Sequence, residues 1–212
     1  MKTPFPEKLF ITGSDTGVGK TVVSAILTLG LNAHYWKPIQ SGTDEGSDTE
    51  WVKKHTQLDA SHFFSERYRL RRPFSPHLAA KMDNLSIDLE EIKIPYKENI
   101  SHLILEGCGG LMVPLNERGD YLIDLINKWK TPTLIVTRST LGTINHTLLT
   151  IEKLRQYSIP IYGIILNGPK NSENRKAIEL YGNERVIGEI EEHSRFSPQI
   201  LLKLFKSLKT RT

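Results

Sequence analysis

The chain of 212 residues carries 28 Lys and Arg against 24 Asp and Glu, a formal charge of +4, and is 38% hydrophobic and 25% charged; these proportions fit one folded domain spanning 1–212 and exclude a disordered, fibrous or repeat protein. The basic surplus is interleaved with acids, and the two basic runs, RYRLRR at 67–72 and KLFKSLKTR at 203–211, lack the interspersed aromatics of a stacking platform, so no nucleic acid is expected as a partner. A single cysteine, Cys108, allows no internal disulfide, no run approaches the roughly 18 apolar residues of a membrane span and the N-terminus carries no apolar leader, so the expected setting is cytoplasmic, with no membrane partner.

In chain order, strands are expected at 8–12, 33–36, 102–105, 133–137, 161–166 and 185–187, and helices at 20–31, 49–56, 76–83, 121–129, 145–157, 173–181 and 198–208. The runs LFIT, HLILE, TLIVT and YGIILN are nearly continuous in apolar residues, the pattern of strands covered on both faces. Strand and helix taking turns predicts an α/β fold, a doubly wound and mostly parallel sheet with helices on both faces, whose ligand site lies at the carboxyl ends of the strands. Residues 42–95, irregular and interrupted by Pro73, Pro76 and Pro95, read as an elaboration that lines that site.

The stretch GSDTGVGKT, 13–21, sits between the first strand and the first helix, where a Walker A match has physical meaning. Backbone N–H groups of Gly17, Val18, Gly19, Lys20, Thr21 and Val22 would cradle ATP phosphates, Lys20 would reach the terminal ones, and the Thr21 hydroxyl would take a Mg²⁺ position. Five residues rather than four separate Gly13 from Gly19, so Ser14 stands in the register of the first glycine.

Beyond the next apolar run, HYWKPIQSG places Lys37 at a strand end, either as surface charge or as an ammonium that neutralises charge in phosphoryl transfer, with Ser41 and Gly42 in the turn that follows. Asp48 precedes a helix and reads either as its N-cap or as a metal carboxylate. Glu106 ends an apolar strand as a Walker B acid would; with Thr21 and Asp48 it would complete the oxygen shell that Mg²⁺ takes beside phosphates. Gly107, Gly109 and Gly110 would leave room for a ligand to approach the backbone, and Cys108 reads as a small filler without a base to activate it. LGTINH, 141–146, opens a helix whose free N–H groups suit a carboxylate, while His146 alone reads as structural. Asn167-Gly168 is a turn or an adenine-reading amide, and SPH at 75–77 is a helix start with Pro at its first position.

Taken together, TGSDTGVGKT, YWKPIQSG, SDTE, SPHLAA, LEGCGGLMVPL, LGTINHTLLT and ILNG, in this order from about 8 to 190, resemble the dethiobiotin synthetase family, whose fold is of the P-loop NTPase type. The five-residue spacing is that family's usual form. The resemblance implies ATP-dependent closure of a ureido ring from 7,8-diaminopelargonic acid and CO₂ or bicarbonate in biotin biosynthesis, through a carbamate and a carbamic-phosphoric anhydride, with Mg²⁺ as cofactor and a homodimer as the working form. It implies Lys37, Thr16 and Lys20 in catalysis, Thr21, Asp48 and Glu106 on the metal, and Asn167 on adenine within a nucleotide site that includes Gly107, Cys108, Gly109 and Gly168. It implies Ser41 on the diamine, and Leu141, Gly142 and Asn145 on the substrate carboxylate across the dimer interface. The chain departs from the family's pattern at Gly17, where Glu is frequent, at Gly168, where Asp is frequent, and at EEHSRF after Ile190.

Two rival classes share parts of this pattern. A partition-type switch ATPase has the same fold but carries a further lysine early in the loop, where this chain has Ser14, Asp15 and Thr16. A small-molecule kinase would keep the phosphate on its product. Either leaves YWKPIQSG and LGTINH without a purpose.

Overall fold

The computed structural model describes residues 5–209. Its first half comprises β1 (Lys8–Gly13), α1 (Lys20–Gly30), β2 (His34–Trp36), β3 (Ile39–Ser41), α2 (Asp48–Thr56), β4 (Tyr68–Leu70) and α3 (Pro76–Met82). The second half comprises β5 (Leu103–Gly110), α4 (Leu122–Trp129), β6 (Thr133–Arg138), α5 (Thr143–Gln156), β7 (Ile161–Asn167), α6 (Ser172–Gly182), β8 (Val186–Ile190) and α7 (Pro198–Ser207).

Six strands form one sheet in the order β2-β5-β1-β6-β7-β8, every pair parallel. Successive side chains of a strand point to opposite faces, and the continuous apolar runs therefore feed two cores. Leu9, Ile11, Ile104, Leu134 and Val136 pack on one face with Ile26 of α1, Val52 of α2 and Leu201 of α7. Phe10, Leu103, Leu105 and Ile135 pack on the other with Ala79 of α3, Leu122 of α4, Ile151 of α5 and Ile178 of α6. The result is the expected doubly wound α/β arrangement, and all parallel strands end on the edge that carries the loops of interest. No helix among the described residues is long and apolar enough to cross a membrane.

Three details differ from the reading of the sequence. Residues 39–41, assigned to no strand, and 68–70, within the segment expected to be irregular, pair as a separate parallel two-stranded sheet, β3 with β4; each is too short for an apolar period to show. β5 does not end near Glu106 but runs on to Gly110, because Gly107, Gly109 and Gly110 continue its backbone and a register shift against β1 between Ile11 and Gly13 absorbs the extra length. α5 begins at Thr143 rather than 145, after Gly142 in the left-handed region.

The helices differ in how their starts are capped. Ser47, Asn171 and Ser197 cap α2, α6 and α7 with their side chains. The first turns of α1 and α5 follow Gly19 and Gly142, with no capping side chain and no acid, so their leading N–H groups stay available at the carboxyl edge of the sheet.

Candidate active site

Residues 14–19 leave the end of β1, circle back and enter α1. Gly19 takes φ +95, and a Cβ there would lie 2.1 Å from the Asn167 amide nitrogen, so only glycine lets β7 approach the loop this closely. Asn167 uses that approach to donate Nδ2–H to the Val18 carbonyl at 2.9 Å. Lys20 lies under the loop, 7% exposed, and donates to the Asp15 carbonyl at 3.1 Å. Its ammonium is held below the usual lysine range by burial first and by Lys37 second, the state of a cation awaiting anions.

Facing the loop, one cluster joins four elements. The Thr21 hydroxyl of α1 lies 3.0 Å from Asp48 Oδ1 and 3.0 Å from Glu106 Oε1. Lys37, just past β2, is 5% exposed and pairs with Asp48 and, at 3.1 Å, with Glu106 Oε1. Burial by itself would lower the Lys37 pKa, but Glu106 and Asp48 outweigh it and hold the group above the usual lysine range, so it is a fixed cation. For Asp48, burial would raise the pKa, yet Lys37 and the Thr21 hydroxyl keep it low and ionised. Asp48 is free for this work because Ser47 is the true cap of α2, in a capping box with Glu50. One hydroxyl and two carboxylates converging on one ammonium form the set of hard oxygens that fits Mg²⁺, and no group of three or more His, Cys, Asp or Glu among the described residues forms an all-protein cage instead.

These groups line a cavity of about 550 Å³ that brings together Thr16, Gly17, Gly19, Lys20, Thr21, Lys37, Ser41, Asp48, Glu106, Cys108 and Gly109, with Pro73, Phe74 and Val113 as an apolar wall. The Ser41 hydroxyl is buried here without a hydrogen-bond partner, an open valence toward a ligand. Burial pushes the Cys108 thiol up, so it is no thiolate. Gly107 is a correction: a Cβ there would lie 2.9 Å from side-chain atoms of Leu122 and Phe10, so its missing side chain serves the core and makes no room for a ligand.

Other expected residues stand outside the cavity. Val18 is buried in the core around α1 and Val22 packs partly buried against it, and neither lines the cavity. Gly168, at φ +127, donates its N–H to the Ile190 carbonyl beside Asn167. Leu141, Gly142 and Asn145 are exposed. Near them a second hollow of about 290 Å³ runs between the phosphate loop and α5, where Asp15, Thr16, Met112, His146, Leu149 and Lys153 meet.

Three participants were not foreseen. Tyr35, fully buried in β2, donates its hydroxyl to Glu106 Oε2 at 2.9 Å, and burial followed by the Glu106 charge pushes its own pKa well up. Gln40 of β3 accepts the Asp48 N–H at 3.0 Å and so sets the start of α2. Arg138, last residue of β6, donates to the Thr16 carbonyl at 2.9 Å. A tyrosine or glutamine in a short apolar run carries no sequence signal for such a role, since cross-strand neighbours decide it.

Loop, lysine, paired carboxylates and uncapped helix starts on a parallel sheet define a nucleotide-binding protein of the P-loop class. A family model described as an AAA domain matches residues 7–199. ATP-dependent dethiobiotin synthetase BioD of Agrobacterium fabrum is 40% identical over 198 residues, 93% of this chain and 92% of that protein. The enzyme of that name from Paramagnetospirillum magneticum is 45% identical over 183 residues, 86% and 87% of the two chains. The chain belongs to the ATP-dependent dethiobiotin synthetase family. Solved structures similar to it include a ParA family ATPase from Chlorobium tepidum, with TM-score 0.51 and 16% identity over 97% of this chain and 91% of that one. The MinC:MinD cell division complex of Aquifex aeolicus gives TM-score 0.57 and 15% identity over 95% and 93%. At such identity these two share the fold alone.

Proposed function

We propose that this protein, acting as one domain in the cytoplasm, is an ATP-dependent cyclo-ligase that makes dethiobiotin from 7,8-diaminopelargonic acid and CO₂ or bicarbonate. The observation that carries the reading is the single cavity in which Lys20, Lys37, Thr21, Asp48 and Glu106 converge beside the unpartnered Ser41 hydroxyl. One amine of the diamine adds to CO₂ to give a carbamate, a carbamate oxygen takes the γ-phosphoryl group with release of ADP, and the second amine displaces phosphate to close the ring. No protein nucleophile is required, in keeping with a neutral Cys108 thiol.

The chain's own part is to hold successive anions. Uncapped N–H groups at the start of α1 and the loop amides bind phosphate oxygens, and Lys20 leaves the Asp15 carbonyl for the terminal phosphate. Thr21, Asp48 and Glu106 would hold Mg²⁺, which when bound supplies charge neutralisation at the phosphates. Lys37 shares the carboxylates of Asp48 and Glu106, and its ammonium would face the carbamate and its anhydride, where negative charge builds up. Ser41 orients the diamine and Thr16 the reacting phosphoryl group. Asn167, held at the loop through Val18, presents the remainder of its amide to adenine.

The homodimer belongs to the same proposal. Leu149 and Met112, 62% and 47% exposed, line the hollow by α5, and Leu141, just before that helix, is 103% exposed, apolar surface suited to a second copy. The uncapped start of α5, with Leu141, Gly142 and Asn145, then reads the substrate carboxylate of the partner's site. Purified protein supplied with Mg·ATP, bicarbonate and the diamino acid should yield ADP, phosphate and a product of the diamine's mass plus CO₂ minus water, and nothing when any one component is omitted. Equal ATP turnover without diamine would favour a switch ATPase, and a stable phosphorylated product a kinase.

A further inference from the structure

The phosphate loop has two arms, and they are secured differently. The inner arm is tied to β6 by backbone and side chain: Ser14 donates its N–H to the Val136 carbonyl at 3.0 Å, and its hydroxyl lies 2.8 Å from that of Thr137. The outer arm, Asp15 to Gly17, is tied less closely to the sheet: its Asp15 carbonyl accepts from Lys20 at 3.1 Å, a contact that gives way when Lys20 turns to a phosphate. Thr16 and Gly17 are exposed and make no apolar contact with either core layer. What holds Thr16 is a pair of charged side chains. Asp15 Oδ1 accepts its N–H at 2.6 Å, Arg138 Nη2 donates to its carbonyl at 2.9 Å, and the same guanidinium nitrogen lies 3.5 Å from Asp15 Oδ2.

Arg138 is itself aimed by its surroundings. It closes β6 two residues beyond the pairing of Gly13 with Val136, so it projects past the sheet just where β1 has turned into the loop. Its carbonyl accepts the hydroxyl of Thr143, the first residue of α5, at 2.5 Å. Gly17 lies beside the guanidinium: at φ +69, a Cβ there would have Arg138 Nη2 as its one neighbour within 4 Å, at 3.9 Å.

We propose that Arg138 is a positioning residue for catalysis: its guanidinium clamps the outer arm of the phosphate loop and fixes the orientation of Thr16 toward the nucleotide phosphates. The two N–H bonds of Arg138 Nη2 lie in the rigid guanidinium plane and face the Thr16 carbonyl and the Asp15 carboxylate side by side, which a lysine ammonium on its flexible stem serves as a single point charge. The inference rests on the phosphate-loop reading of 13–21 and is independent of the identity of the diamine. Arg138 and Asp15 are 51% and 47% exposed, so the pair adds little to fold stability, and its loss should show in nucleotide handling instead.

The test is titration of Mg·ADP into the parent, Arg138→Ala and Arg138→Lys by calorimetry, with the KM for ATP and kcat measured alongside and melting temperature as the folding control. One charge-assisted hydrogen bond at a half-exposed site predicts that Arg138→Ala weakens nucleotide binding and raises the KM for ATP by roughly 10-fold while Tm stays within about 2 °C. Arg138→Lys recovers part of that loss, and millimolar guanidinium salt restores Arg138→Ala toward the parent. Nucleotide affinity of Arg138→Ala within about twofold of the parent overturns the proposal. So does a loss that follows a drop in Tm and that neither lysine nor guanidinium relieves, since the residue is then merely structural. A parent that binds no Mg·ADP overturns the phosphate-loop reading as well, which separates the two failures.

Discussion

Replacing Lys37 by methionine keeps most of the stem volume and deletes the ammonium between Asp48 and Glu106. Glu106 is fully buried, and without Lys37 it retains only the hydroxyls of Tyr35 and Thr21, with Asp48 now an uncompensated neighbour. Removing one partner of a buried ion pair costs about 3 to 5 kcal/mol, and the partial exposure of Asp48, 30% of its side chain, puts this site at the lower end. At about 2–4 °C per kcal/mol for a chain of this size, the ligand-free variant should melt roughly 6–12 °C below the parent. Turnover should fall further than stability suggests, by about 10²–10³ in kcat at saturating substrates, the scale of removing one preorganised electrostatic stabiliser. Differential scanning calorimetry and a phosphate-release assay read the two effects separately. Mg²⁺ titrated into Lys37→Met should recover more Tm than it does in the parent, because the metal no longer competes with an ammonium. A variant that melts with the parent would refute the ion-pair argument, and one that turns over within about threefold of it would refute the charge-stabilising argument.

Three further perturbations probe separate parts of the site. Gly19→Ala forces a Cβ into the left-handed region and onto the Asn167 amide, a strain of roughly 1–3 kcal/mol before the overlap is relieved, so calorimetry should find nucleotide binding lost; normal binding would show that the close approach is not needed. Tyr35→Phe leaves Glu106 Oε2 without its buried donor and should cost about 1–3 kcal/mol in urea unfolding, whereas an unchanged midpoint would mean that other groups replace it. His34, stacked on His62 at 4.9 Å and near Phe64 and Lys97, has its pKa held below the usual 6.5 by burial first, then by Lys97 and His62. The folded state thus keeps His34 neutral, its contribution is complete above pH 6.5, and stability is lost as pH falls from there through the lowered pKa. His34→Gln should flatten the dependence of Tm on pH below about 6.5, and an unaltered slope would contradict this assignment.

The parts of the molecule that were legible in advance are those written in local pattern. Continuous apolar strands, the punctuation of GSDTGVGKT and the amphipathic helices located the six strands of the main sheet and the seven α-helices among the described residues, with ends within a few residues except at the far end of β5. What escaped depends on contacts between distant segments. β3 and β4 are three residues each and are held side by side from their flanks, where the Pro38 carbonyl accepts the N–H groups of Arg67 and Tyr68 and the Arg72 carbonyl accepts that of Gly42. Glu106 looked like a strand end, but a slip between β1 and β5 carries the strand onward through its glycines. Gly107 and Gly19 read alike as glycines near a ligand, yet one is small for Phe10 and Leu122 and the other for Asn167. Asp48 could be separated from a simple cap only once Ser47 was seen to perform the capping. Tyr35, Gln40 and Arg138 gained their roles through partners 71, 8 and 122 positions away.

The central claim is that carbamate oxygen and γ-phosphoryl group meet in the cavity shared by Lys20, Lys37 and Ser41. Turnover with ¹⁸O-labelled bicarbonate, followed by mass analysis of the released phosphate, addresses it directly. The account predicts one labelled oxygen carried into phosphate for each ring closed. Cyclic product accompanied by unlabelled phosphate would contradict it, because ATP would then have been cleaved by water instead of by the carbamate.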